Sequence, residues 1–264
     1  MRFDVITLFP ELFAPFLSAG INRRAFETGA VELKLWQLRD YADGTYRRVD
    51  DRPFGGGPGM VLLAEPLEKC LQAIRHDRAL KNPYEKPVPV VLFSPIGQPL
   101  NHAGVEEWSQ SDGAILICGR YEGLDQRFID AHVDVQVSLG DFVLSGGEIA
   151  AIALLDAVAR LQPGVLNDEG SHQMDSFNPA LDGLLDCGHF TRPEVWKDIT
   201  VPPVLMSGHH AEITKWRRQQ SLVLTQKYRP DLIVGARLAG KLSTQDENFL
   251  FSLSASGLVK SKSN

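Results

Sequence analysis

The chain has 264 residues, 44% hydrophobic and 23% charged, with a formal net charge of −6. That composition suits a globular protein of one large domain or two moderate ones, and it argues against a surface coated in positive charge. No apolar run approaches the roughly 18 residues of a membrane span, and Asp4 interrupts the N-terminus where a secretory signal would stay apolar, so a cytoplasmic protein without membrane contact is expected.

In chain order, residues 1–9 alternate as a strand, and Pro10-Glu11 opens a helix whose Leu12, Phe13, Phe16 and Leu17 share a face, with Gly20 as its C-terminal cap. Val31–Leu38 reads as a second strand and Glu65–His76 as a helix. Val88–Phe93, Ala114–Cys118 and Val133–Val137 are short runs rich in β-branched residues, separated by helical stretches at about 101–110 and 124–131. Ile149, Ile152, Leu155 and Ala159 set a helical period that ends at Arg160. Strands alternating with helices predict an α/β domain over 1–161, built on a mostly parallel sheet covered on both faces. Residues 162–177 are polar, aperiodic and punctuated by Pro163, Gly164 and Gly170, and read as an interdomain linker. Residues 178–264 show a long helical pattern near 210–227 and no good strand, so a small all-helical C-terminal domain is predicted, its last twenty residues frayed.

Two glycine-rich loops stand out, Gly119-Arg120-Tyr121-Glu122-Gly123 and Ser138-Leu139-Gly140-Asp141-Phe142-Val143-Leu144-Ser145-Gly146-Gly147-Glu148. Each follows a predicted strand and leads into a helix, and in open α/β sheets ligands bind at the carboxyl ends of the strands. Gly55-Gly56-Gly57-Pro58-Gly59 matches a nucleotide-type glycine pattern, but no strand or amphipathic helix flanks it, so it reads as a flexible loop. From Ile213 to Pro230 the chain carries Lys215, Arg217, Arg218, Lys227 and Arg229 without an acid, with Trp216 and Tyr228 among them. Such a stretch is either a solvated helix face or a surface for phosphates and bases. No P-loop, HExxH or GxSxG motif is present, and the seven histidines do not pair at i and i+4. Cys70, Cys118 and Cys187 form no CxxC pair and no zinc spacing, and are expected to be reduced thiols.

The motifs Asp50-Asp51-Arg52-Pro53-Phe54-Gly55-Gly56-Gly57-Pro58-Gly59-Met60, Cys118–Gly123, Gly140–Glu148, Leu184-Leu185-Asp186-Cys187, Phe190-Thr191-Arg192-Pro193-Glu194 and Val201-Pro202-Pro203-Val204-Leu205 resemble those of the bacterial tRNA (guanine-N1)-methyltransferases, in order, over residues 1 to about 235. Gly188 departs from that pattern, which has proline there. The resemblance implies a deep trefoil knot of SPOUT type in the first domain and a helical tRNA-binding C-terminal domain. It also implies a homodimer with active sites at the subunit interface. The implied cofactor is S-adenosyl-L-methionine, in a pocket built from Ser94 and Pro95, from Gly119, Arg120, Tyr121, Glu122 and Gly123, and from Ser138, Leu139, Gly140, Asp141, Phe142, Val143, Leu144 and Gly146. Glu122 and Asp141 would attract its sulfonium charge.

The implied reaction is methyl transfer to N1 of the guanine immediately 3′ to the anticodon of tRNA. Asp175 matches the family's general base for the N1 proton, and Arg160 the cation that stabilises charge on O6. An ordinary carboxylate, with a pKa of about 4, is a weak base for an imide proton, so either the pKa of Asp175 is raised or proton loss is coupled to methyl attack. Lys215, Arg217 and Arg218 are the expected RNA contacts. Two alternatives share the loops: a related knotted enzyme acting on ribosomal RNA, which would lack Asp175 and the basic helix, and a non-catalytic RNA-binding protein, against which Arg160 and Asp175 speak.

Overall fold

A computed structural model describes residues 1–84, 86–166 and 171–255. The chain divides into two compact units, Met1–Asn167 and Asp168–Asn264. Among the described residues, no helix is long and apolar enough to cross a membrane.

The first unit contains β1 (Arg2–Thr7), α1 (Ala14–Ser18), α2 (Gly20–Glu27), β2 (Glu32–Gln37), β3 (Asp50–Asp51), β4 (Val61–Leu62) and α3 (Ala64–Lys81). It continues through β5 (Val90–Pro99), α4 (His102–Ser109), β6 (Gly113–Ile117), α5 (Gln126–His132), β7 (Val135–Ser138) and α6 (Glu148–Ala159). Five strands form one sheet in the order β2-β1-β6-β5-β7, every pair parallel. Alternation along each strand sends side chains to two cores. Phe3, Val5, Val91, Ala114 and Leu116 pack with Ala151, Leu154 and Val158 of α6 on one face. Ile6, Val90, Leu92, Ile115 and Ile117 pack with Leu67, Leu71 and Ile74 of α3 and Phe128 of α5 on the other. Covering of both faces is what makes the strands read as continuous apolar runs rather than as alternating ones.

Three boundaries differ from the sequence reading. The first helix stops at Ser18, and Gly20, with φ +67°, opens a second helix instead of capping the first. α3 extends to Lys81 rather than ending near His76. β5 runs on through Ser94 and Pro95 to Pro99, with its pairing to β7 interrupted between Phe93 and Gln98. Gly97 lies in that interruption, where a Cβ would sit 2.5 Å from the Val137 amide nitrogen. Only glycine lets the two backbones approach so closely.

Near the amino ends of β1 and β2 lies a buried charge network. Asp4, fully buried, accepts from Arg2 Nη2 at 2.6 Å, Arg78 Nε at 2.7 Å and Trp36 Nε1 at 2.8 Å. Arg2 and Lys34 also reach Asp77, each at 2.7 Å.

The second unit contains β8 (Val195–Trp196), β9 (Ile199–Thr200), α7 (His210–Tyr228), α8 (Pro230–Leu238) and α9 (Thr244–Ala255). Leu222, Ile233, Ala236, Leu250 and Leu253 of the three helices bury Leu184 between them. Pro230 ends α7 and starts α8, since its ring suits a first helical turn and disfavours helix before it. The antiparallel β8–β9 pair means that this unit is not helical alone. Its turn residues Lys197 and Asp198 both take positive φ, as a two-residue hairpin demands. Residues 245–255 of the tail expected to fray are helical, since α9 runs to Ala255; residues 256–264 of that expectation lie outside the described residues.

Candidate functional site

The carboxyl ends of β5, β6 and β7 enclose a cavity of about 400 Å³. Its walls are the interrupted stretch of β5, the loop after β6 and the loop after β7. They include Ser94, Pro95, Gly119, Arg120, Tyr121, Glu122, Gly123, Ser138, Leu139, Gly140, Phe142, Val143, Leu144 and Gly146. Fourteen of the fifteen residues assigned to cofactor binding from sequence are therefore brought together (count over the lining residues). Asp141 is the exception: it is exposed and does not line the cavity. Gln126 and Ile129 of α5 and Gln136 of β7 also line it, and no motif in the sequence marks them.

Five of the lining residues are glycines, Gly119, Gly123, Gly140, Gly146 and Gly147, and two of them allow close loop contacts. The Gly147 amide donates to the Gly119 carbonyl at 3.0 Å, which ties the loop after β7 to the loop after β6. A Cβ at Gly147 would stand 2.8 Å from the Cys118 Cα, and one at Gly146 would meet Arg120 Nε at 2.2 Å. Tyr121 takes a left-handed φ of +60°, a conformation that costs about 1 kcal/mol or more in a non-glycine residue and is held by its surroundings. The Glu122 amide donates to the Met60 carbonyl at 2.9 Å, and the Leu62 amide to the Gly123 carbonyl at 2.9 Å. The glycine-rich segment closed by β3 and β4 thus docks against the loop after β6, where sequence alone reads a free flexible loop. The Glu122 side chain lies over Gly59, whose φ is +83°.

Arg120, at the cavity wall, also braces the loops. Its guanidinium pairs with Glu148 at 2.9 Å, donates to the Ser145 carbonyl at 3.3 Å and lies 4.5 Å from the Phe9 ring centroid. Glu148 is 1% exposed and also accepts from Thr7 Oγ1 at 2.8 Å. One arginine and one buried carboxylate join β1, the loop after β6 and the start of α6. Cys118, beside them, is an inert thiol, because burial pushes its pKa well above the ordinary range.

Arg160 ends α6, its amide donating to the Asp156 carbonyl at 3.2 Å, and is half-buried. Asp175, in the second unit, is half-buried after the single 3-10 turn Ser171–Met174. On α7, Lys215 and Arg217 are exposed, as an RNA-facing role requires. Arg218 is not. It pairs with Asp182 at 2.8 Å and Asp246 at 3.0 Å, and donates to the Leu181 carbonyl at 3.4 Å. Burial works against its charge, but the bonds to Asp246 and Asp182 outweigh it and hold the guanidinium pKa above its usual value. Three acceptors surround the Arg218 guanidinium, which therefore acts as a strut within this unit, unlike its exposed neighbours Lys215 and Arg217.

A parallel α/β sheet whose carboxyl ends hold a small-molecule cavity, tied by crossed glycine loops, defines the class of this molecule. The sequence profile of the tRNA (Guanine-1)-methyltransferase TrmD family matches residues 1–235, and the chain belongs to that family. It is 70% identical over 253 residues to the tRNA (guanine-N(1)-)-methyltransferase of Polaromonas sp. (strain JS666 / ATCC BAA-500), covering 96% of this chain and 97% of that one. To the enzyme of the same name from Methylibium petroleiphilum it is 62% identical over 261 residues, covering 98% of this chain and all of the relative (100%). The corresponding protein of Herminiimonas arsenicoxydans is 53% identical over 254 residues, 96% of this chain and 100% of the relative.

Proposed function

We propose that the chain transfers a methyl group from S-adenosyl-L-methionine to N1 of the guanine immediately 3′ to the anticodon of tRNA. The observation that carries this reading is the glycine-rich cavity beside β5, β6 and β7 in a chain of this family. The cavity fits the methyl donor: about 400 Å³ lies in the range of small-ligand sites. The close loop crossings at Gly146 and Gly147 hold the two glycine loops together at its wall, where a ligand can approach the backbone closely. When bound, S-adenosylmethionine supplies a methyl group on a positively charged sulfur. Glu122, at the cavity wall, offers that charge a carboxylate; Asp141, outside the wall, does not.

The protein's own residues then deal with the proton. Guanine N1 is protonated and has no free lone pair, and charge moves to O6 as the proton leaves. The Asp175 carboxylate accepts the N1 proton, and the Arg160 guanidinium stabilises O6, a fixed charge where charge develops. Lys215 and Arg217, both exposed, hold RNA phosphates by an electrostatic contact that salt weakens.

Two further features complete the reading. The chain after β7 passes back beyond β5 to bond the loop after β6, a crossing that supports a deep trefoil knot. Phe142 (56% exposed), Val143 (85%) and Ile149 (56%) flank the cavity as uncovered apolar side chains, which supports a homodimer with its sites at the interface. A cytoplasmic location agrees with the three free cysteines. The test is incubation with labelled S-adenosylmethionine and paired tRNA transcripts with guanine or adenine 3′ to the anticodon. Label is expected on the guanine transcript alone. Equal labelling, or label on ribosomal RNA instead, would favour the alternative substrates, and no transfer at all would leave a binding protein.

A further inference from the structure

We propose that Asp186, Cys187 and His189 form a binding site in the second unit for a borderline-soft divalent cation of the Zn²⁺ and Co²⁺ class. One ligand atom from each residue lies within 4.8 Å of the others, and among the described residues no other group of three such side chains converges. Cys70 and Cys118 therefore lack what Cys187 has. Gly188, with open space around it, is the only residue between the thiol and the imidazole, so the chain can bring both to one ion.

The backbone that carries these groups is fixed. Leu185 donates its amide to Thr225 Oγ1 at 3.0 Å and accepts from Ser221 Oγ at 2.5 Å, both on α7. The Asp186 amide donates to Ser176 Oγ at 2.9 Å, and Asp186 Oδ1 accepts the Cys187 amide at 2.6 Å. Asp186 Oδ2 is left to face His189 Nε2 at 2.8 Å. Cys187 is buried beneath them, while the His189 side chain is 75% exposed and leaves a path from solvent.

The donor set selects the ion. Magnesium and calcium prefer oxygen ligands alone, whereas imidazole, thiolate and one carboxylate suit zinc and cobalt. On binding, bonds form from Cys187 Sγ, a carboxylate oxygen of Asp186 and His189 Nε2, and water fills the remaining position. The thiol proton goes to solvent, and the Asp186–His189 hydrogen bond breaks. Thiolate and carboxylate together offset the two positive charges of the ion. Sequence reading assigns no metal because it weighs cysteines and histidines separately; the mixed set Asp186-Cys187-Gly188-His189 is local in sequence but matches no standard zinc spacing.

The test uses the full-length protein, stripped with chelator and titrated with Co²⁺. One ion per chain is expected, with a sulfur-to-cobalt charge-transfer band in the near ultraviolet that added Zn²⁺ removes. Cys187→Ser should abolish the band and weaken binding by at least about 100-fold, since even outer partners of a metal site are worth 10–100-fold. His189→Gln, at an exposed position, should weaken binding at least about tenfold on the same reasoning. Zn²⁺ should raise the melting temperature of the wild type and leave that of Cys187→Ser unchanged. A wild type without the band, a band that persists in Cys187→Ser, or cobalt bound with no thiolate signature would each overturn the proposal. Should Cys187→Ser fail to fold, the His189→Gln titration decides alone.

Discussion

In the first unit the cavity wall depends on close glycine contacts: Gly119, Gly140, Gly146 and Gly147 border it, and its one cation, Arg120, is turned into the protein against Glu148. In the second unit the exposed surface of α7 is side chain, with Lys215 and Arg217 in solvent, while Arg218 is turned inward against Asp182 and Asp246. The two surfaces are expected to fail in different ways. A wall of packed loops is set by its supports and gives way as a unit. A surface of independent cations loses affinity one contact at a time.

The largest expected effect comes from removing a support. Glu148→Gln leaves the Arg120 charge enclosed without its partner, which should cost about 3 kcal/mol of stability. Denaturant unfolding should show that loss, and calorimetry should show S-adenosylmethionine binding weakened at least tenfold. Weaker donor binding without a stability loss would make Glu148 a ligand contact rather than a support. Next comes Gly147→Ala, whose Cβ meets the Cys118 backbone at 2.8 Å. The loops must part, at about 1–3 kcal/mol as for other overpacked sites, with donor affinity falling and RNA affinity little changed.

The second unit gives the counterpart. Arg218→Ala should lower stability by roughly 1–3 kcal/mol, less than a fully buried pair, and leave the salt dependence of tRNA binding unaltered. Lys215→Ala and Arg217→Ala should do the reverse: each reduces the salt slope by about one and weakens binding a few-fold, with melting unchanged. A salt slope that falls in Arg218→Ala would make Arg218 an RNA contact as well.

The smallest effect concerns the other charge network of the first unit. Bonds from Lys34 and Arg2 pull the Asp77 carboxyl down to about 2. A carboxyl lowered in the folded state stabilises it above the unfolded pKa of about 4 and loses that contribution as pH falls toward the folded value. Asp77→Asn should therefore melt below the wild type at neutral pH, and the gap should shrink as pH drops below about 4. Donor affinity should not follow, because this network lies at the opposite end of the strands. The partners are partly exposed, so salt should narrow the gap as well.

The parallel α/β unit was legible in sequence because β-branched runs such as Val90–Leu92 and Ala114–Ile117 alternate with helical periods, and the glycine loops sit where such sheets bind ligands. The inward turn of Arg120 and Arg218 was not. Motif spacing places an arginine on a loop or helix but does not say which way it faces, and the partners Glu148 and Asp246 lie 28 residues away in each case (148−120 and 246−218). The β8–β9 hairpin escaped because Lys197-Asp198 is not a turn pair that advertises positive φ, unlike Asn-Gly. The docking of Gly59 and Met60 beside Glu122 depends on long-range hydrogen bonds that no local pattern encodes.

In the proposed reaction the first unit holds the methyl donor and Asp175 removes the guanine proton. Its most direct test is Asp175→Asn, with S-adenosylmethionine affinity measured beside single-turnover methylation of the guanine-bearing transcript. The account predicts donor affinity within about twofold of wild type and a transfer rate lower by at least about 10²-fold, the scale of general-base catalysis. A parallel loss of both, or transfer at the wild-type rate, would contradict it.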